Sequence, residues 1–147
     1  MRYLFLMPLL AVIAAAFPAS AAPVTPGPGA EGIWMNPRGT VAVHTGACGQ
    51  GPAAQALCGR IVWASSEAQV DAKDGATPHL LGTELLENYR QRGRGVWQGT
   101  VFIPDLGRRF MSEIDQLSPA SLRIKGCILG GLLCRSQVWT RIAQVPA

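Results

Sequence analysis

The chain is poor in the groups from which enzyme active sites are built. It has two histidines, His44 and His79, with no Gly-x-Ser-x-Gly and no His-Glu-x-x-His, so the common serine-nucleophile and zinc-hydrolase arrangements are missing. Close Cys-x-x-Cys spacings are missing too. His44, Cys48 and Cys58 are the nearest approach to a metal-ligand set, and in an oxidising compartment such cysteines pair as disulfides. No metal and no cofactor is therefore expected. Charge is sparse, 13 Lys and Arg against 9 Asp and Glu for a net +4, which favours solubility and tolerates anionic surfaces without marking a nucleic-acid binder. The basic run Arg90, Arg92, Arg94 lacks interleaved aromatics for base stacking. It reads as a solvated turn, with anionic envelope groups as the alternative contact. No apolar period long enough for a helix of three turns is found.

The one long apolar run is at the N terminus. Met1-Arg2, apolar residues 3–17 interrupted by Pro8, and Ala19-Ser20-Ala21 have the order of a secretory signal peptide cleaved after Ala21. The run is short for a membrane span, and no cysteine follows it to carry a lipid. Residues 1–21 are thus expected to be removed, 22–30 to form a flexible leader broken by Pro23, Pro26 and Pro28, and 31–144 to be a single domain. The expected product is a periplasmic or secreted monomer with no integral membrane segment. Its four cysteines, Cys48, Cys58, Cys127 and Cys134, would be oxidised.

The most informative stretch is 122–142. Counting outward from Gly130-Gly131 pairs Leu129 with Leu132, Ile128 with Leu133 and Cys127 with Cys134, as in a hairpin whose turn needs positive φ. Opposed strand residues lie about 4.5 to 5.5 Å apart at Cα, within disulfide reach. Of three possible connectivities the local one is expected, Cys48–Cys58 with Cys127–Cys134. The same register puts Leu122, Ile124, Gly126, Arg135, Gln137, Trp139 and Arg141 on one face, the better core candidate, and sends Arg123 and Lys125 to water.

Elsewhere the pattern is short alternating strands and tight turns. Strands are read at Gly32-Ile33-Trp34, 40–45, 59–64, 84–89, 96–103 and 109–117. Asn36-Pro37-Arg38-Gly39 and Pro104-Asp105-Leu106-Gly107 are turns, and 65–83 is a long break without hydrophobic period. With the terminal hairpin this makes about eight strands, an all-β antiparallel barrel with no major helix. Closure would remove the exposed edges of a small sheet.

Gly32-x-Trp34 near the start and Trp139-x-Arg141 near the end look like the closing arrangement of lipocalin-like barrels, where an arginine covers the first-strand tryptophan by cation–π attraction. Trp34, Trp139 and Arg141 are the expected closure residues. The wider set is Gly32-Ile-Trp34, Cys58-Gly59-Arg60-Ile61-Val62-Trp63, Asp71 to Asp74, Leu81-Gly82, Leu85-Leu86, and Gly126-Cys127 through Cys134-Arg135-Ser136 to Trp139-Thr140-Arg141. It resembles the bacterial exported family called domain of unknown function 2147. That resemblance implies a small lipocalin-like barrel and no assigned activity. The chain departs from the family's usual aromatic-Asp-Pro-x-x-Gly turn at Ile103-Pro104-Asp105-Leu106-Gly107.

Function is expected to be binding rather than catalysis. A small amphipathic or lipid-like ligand would sit among barrel tryptophans, Trp63 and Trp97, with Gln137 and Arg135 as polar contacts. Two alternatives stand beside this: a solid barrel whose surface docks an envelope component, and a hydrolase or isomerase using His79 with Asp71 or Asp74.

Overall fold

The structure, a computed structural model, describes residues 29–147; the expected signal peptide and nearly all of the expected leader lie outside them. Eight strands follow one another round a closed antiparallel barrel. They are β1 (Gly32–Met35), β2 (Val41–Ala47), β3 (Ala56–Ala64), β4 (Glu84–Gly93), β5 (Val96–Ile103), β6 (Arg108–Ser118), β7 (Ser121–Ile128) and β8 (Leu133–Ile142). Each pairs with the next, and β8 returns to β1 through Trp34↔Arg141. The closing seam is short, Ile33–Met35 against Thr140–Ile142, so Leu133–Trp139 of β8 have no partner in β1.

One end of the barrel is packed solid. Trp34, Val43, Ile61, Leu86, Tyr89, Ile114 and Leu122 are all at most 1 % exposed, and Leu122 pairs across to buried Trp139. Burying an aliphatic side chain of this size is worth about 1.5 to 3 kcal/mol, so this plug is the main source of stability. Arg141 closes it from outside. The guanidinium carbon lies 4.1 Å from the centre of the Trp34 ring, and its three nitrogens donate to the carbonyls of Pro119, Glu31 and Gly29 at 2.6 to 2.8 Å. Trp34 Nε1 in turn donates to the Ala30 carbonyl and Thr45 Oγ1, both at 3.0 Å. Gly32 is required beneath this cap: its φ is +140°, and a Cβ there would fall 2.1 Å from an Arg141 nitrogen.

The terminal hairpin has the expected register, Cys127↔Cys134 and Ile128↔Leu133, and both local disulfides are formed. Its turn is wider than a two-glycine one. Residues 129–132 all belong to it, with positive φ at Leu129, Gly130 and Gly131, so Leu129 and Leu132 are tip residues rather than a strand pair.

Two other expectations are corrected. The break at 65–83 contains a helix, α1 (Ser66–Asp74). Ser65 caps it by accepting from the Ala68 amide, and Glu67 and Lys73 sit at the dipole-favoured ends. Its only fully buried residue is Ala72, too small to register as a hydrophobic period. The basic run is not all turn: β4 extends through Arg90 and Arg92 to Gly93.

Candidate functional site

The connections 36–40, 65–83, 104–107 and 129–132 gather at the end opposite the Trp34 plug. There the interior is open. Residues Leu133 to Val138 of β8 are all exposed, although alternate ones face inward by the register that buries Ile124 and Trp139. The space beside them is a cavity of about 340 Å³ walled by Leu85, Ile103, Phe110, Ile124, Leu133 and Trp139. Leu106, Ile128, Arg135 and Gln137 also border it. This is within the size range of small-ligand sites, roughly 300 to 1,000 Å³.

Its side-chain polar groups are few, and those left without a partner are donors. Gln137 Oε1 accepts from Trp139 Nε1 at 3.0 Å; among the described residues its amide nitrogen has no acceptor. Arg135 likewise has neither carboxylate nor carbonyl partner among them. Both offer N–H donors to an otherwise apolar chamber. A smaller space of about 160 Å³ adjoins it under α1, sharing Leu85, Ile103, Gln137 and Trp139 and adding Arg38, Asp71 and Asp105.

Helix α1 roofs that smaller space and is tied down on both sides. The Ser65 amide donates to the Thr40 carbonyl at 2.8 Å, Arg38 pairs with Glu67 at 2.6 Å, and Thr77 Oγ1 donates to the Pro104 carbonyl at 3.0 Å. Gly75 packs so tightly on Asp105 that a Cβ would lie 2.2 Å from its carbonyl oxygen. Deeper in the barrel the Tyr89 and Ser112 hydroxyls are buried without a hydrogen bond of full geometry. Burial pushes the Tyr89 phenol well above its usual value; the neighbouring Ser112 hydroxyl offsets this in part.

The sequence-chosen residues divide. Gln137 and Arg135 border the mouth cavity; Trp63 and Trp97 do not. An extra residue on β3 shifts the register so that Val43 faces Ile61 but Ala42 faces Trp63, which turns Trp63 away from the Val43 side. Trp97 lies at the packed end, beside Ala30, Ala47 and Leu57. Sequence reasoning missed the apolar wall of Leu85, Ile103, Phe110 and Leu133; the alternation that sets Phe110 on one face with Ile114 is the signal that could have found Phe110. Asp71, Asp74 and His79 are all exposed, and no hydrogen bond or ion pair joins them to one another. Among the described residues no three His, Cys, Asp or Glu side chains gather as a metal site, and no helix there is long and apolar enough to cross a membrane.

A closed eight-stranded antiparallel barrel, plugged at one end and open at the other, is a lipocalin-like fold. The solved structure of protein HP1028 from Helicobacter pylori, described as belonging to the lipocalin family, is similar, with a TM-score of 0.56 at 13 % identity over 78 % of this chain and 83 % of that one. At such identity the likeness concerns the fold alone. The chain belongs to the bacterial family described as "Uncharacterized protein conserved in bacteria (DUF2147)", whose profile matches residues 32–141. No curated protein matches it.

Proposed function

We propose that this protein is an exported, non-catalytic carrier of a small amphipathic ligand whose apolar part fills the barrel mouth and whose polar end accepts hydrogen bonds from Arg135 and Gln137. One observation carries the reading: an apolar chamber of about 340 Å³ bordered by two side chains, Arg135 and Gln137, whose N–H donors have no acceptor among the described residues. Donors of this kind favour a carboxylate or phosphate end, and the charged one more strongly. The two disulfides support a periplasmic or extracellular address, because such bonds persist where the compartment is oxidising. The solid-barrel alternative has less support, since only one half of the interior is filled. The hydrolase alternative lacks an assembled group at His79.

Native mass spectrometry of protein isolated from its own periplasm is the direct test. Extra mass released by denaturation is expected, together with a rise in melting temperature on adding fatty acids or lysolipids. Arg135→Ala should weaken an anionic ligand about 10-fold or more, from a charged hydrogen bond of about 1.5 to 3 kcal/mol, and leave the melting point of the empty protein unchanged. A bare mass with no thermal shift by any of these amphiphiles would overturn the proposal.

A further inference from the structure

The exposed apolar side chains are not spread evenly over the surface. In the four connections at the mouth, Val70, Leu81, Leu106, Leu129 and Leu132 are 58, 54, 61, 71 and 87 % exposed. The connections at the plugged end, residues 48–55, 94–95 and 119–120, hold none of the exposed large apolar residues described. The greatest exposure is at the β7–β8 tip, where Leu129 and Leu132 flank two glycines and Leu133 follows at 52 %. The Cys127–Cys134 bond clamps the base of this tip, so it is held as one preset unit. Leu129 is held at φ +53°, a conformation uncommon for a branched residue, and no buried contact at the tip repays it.

Charge near the tip is mainly basic. Lys125 and Arg135 stand on the two strands that carry it, and the nearby carboxylate is Glu113, opposite Lys125 in register. Arg108, on the adjoining strand end, and Arg135 have no carboxylate partner among the described residues. Most acidic groups of this end lie away from the hairpin: Glu67, Asp71 and Asp74 on α1, Asp105 in the β5–β6 turn and Glu84 at the start of β4. An exposed apolar tip with Arg108, Lys125 and Arg135 nearby fits an interface that is apolar inside and anionic at its surface.

We propose that the disulfide-clamped β7–β8 tip inserts into the surface of a bilayer containing anionic phospholipid, seating the barrel mouth against it with the hairpin side foremost and the acidic α1 side tilted away. A second copy is the weaker occupant. The tip leucines offer on the order of a few hundred Å² per copy, short of the roughly 800 Å² per partner that stable interfaces bury. Its test is separate from that of the ligand reading, because Leu129 and Leu132 are outside the mouth cavity, although Leu133 and Arg135 border it.

The barrel closes on itself from Gly32 to Ile142, so protein of residues 22–147 holds the whole fold and excludes the N-terminal apolar run. Its flotation with vesicles of phosphatidylethanolamine and phosphatidylglycerol tests the proposal, with phosphatidylcholine vesicles as the uncharged arm. Wild type should float with the anionic vesicles and bind the uncharged ones at least fivefold more weakly. Leu129→Ser with Leu132→Ser should lower anionic binding at least tenfold at an unchanged melting temperature, whereas Leu117→Ser, an exposed control elsewhere, should not. Wild type that stays with the soluble fraction, or a double variant that floats as wild type does, would overturn the inference. So would a concentration-dependent dimer in light scattering that the double variant abolishes while vesicles are not bound.

Discussion

Replacing Gly32 by alanine attacks the point where the first and last strands meet. The new Cβ would sit 2.1 Å from an Arg141 nitrogen and 3.2 Å from the guanidinium carbon, so the guanidinium must leave its seat. That forfeits a cation–π contact of about 0.5 to 2 kcal/mol and weakens three hydrogen bonds to carbonyls. Each such bond would be worth about 1.5 to 3 kcal/mol if buried, but water replaces much of it at this partly exposed site. To this is added about 1 to 3 kcal/mol for holding a residue with a Cβ at φ +140°. A loss of about 3 to 4 kcal/mol is expected, a large fraction of a domain stability of about 5 to 15 kcal/mol.

Urea unfolding with the disulfides intact measures it as a fall in midpoint at constant slope. Gly39→Ala sets a floor: Gly39 has φ +67°, in the left-handed region a Cβ tolerates at modest cost, and open space where its Cβ would go, so it should show a smaller backbone cost and no clash. Arg141→Ala completes a double-mutant cycle. Once the guanidinium is gone the added methyl meets nothing there, and the pair should cost about 1 to 2 kcal/mol less than the sum of the singles. If Gly32→Ala cost no more than Gly39→Ala, or if the two changes added fully, the claim that Gly32 exists to admit Arg141 would be wrong.

The other expectations can be checked on the same protein. Tyr89 is the one tyrosine of residues 22–147, and burial raises its phenol above the unfolded value of 10.0. The protonated form is therefore favoured by folding: its contribution is complete below pH 10 and declines as pH rises beyond, by at most about 1.4 kcal/mol per unit. Phenolate absorbance should accordingly appear only with unfolding, and Tyr89→Phe should flatten this alkaline decline. A phenolate signal rising near pH 10 in the folded protein would count against a buried ring. At neutral pH Tyr89→Phe should cost less than about 1 kcal/mol, since its hydroxyl makes no full hydrogen bond. Cys127→Ala with Cys134→Ala opens a short loop, seven residues in sequence separation, and should remove about 2.5 kcal/mol on the chain-entropy model; an unchanged unfolding midpoint would refute that.

What the sequence disclosed follows where the two-residue period survives. β5 pairs with β6 unbroken from Val96↔Asp115 through Ile103↔Arg108, and β7 with β8 from Ser121↔Thr140 through Ile128↔Leu133, so in the terminal hairpin parity alone places Leu122, Ile124 and Trp139 inside. In β3 and β4 registers shift at Ala42/Val43, Leu57/Gly59 and Glu87/Arg90, and a one-residue slip exchanges the faces. Trp63 was misplaced for that reason. The expectation for Trp63 rests on its being a barrel tryptophan, whereas that for Gln137 and Arg135 rests on parity within the terminal hairpin, and only the second kind of argument leads to the mouth. The chamber itself was not legible: whether an inward polar residue is buried or open depends on what covers the end of the barrel. Here α1 covers one side of the mouth by burying Ala72, a residue too small to leave a pattern, and leaves the β8 side uncovered. The side chains that wall the cavity are thus ordinary barrel residues, and what sets them apart is the reach of a helix held to Thr40 and Pro104 by two hydrogen bonds.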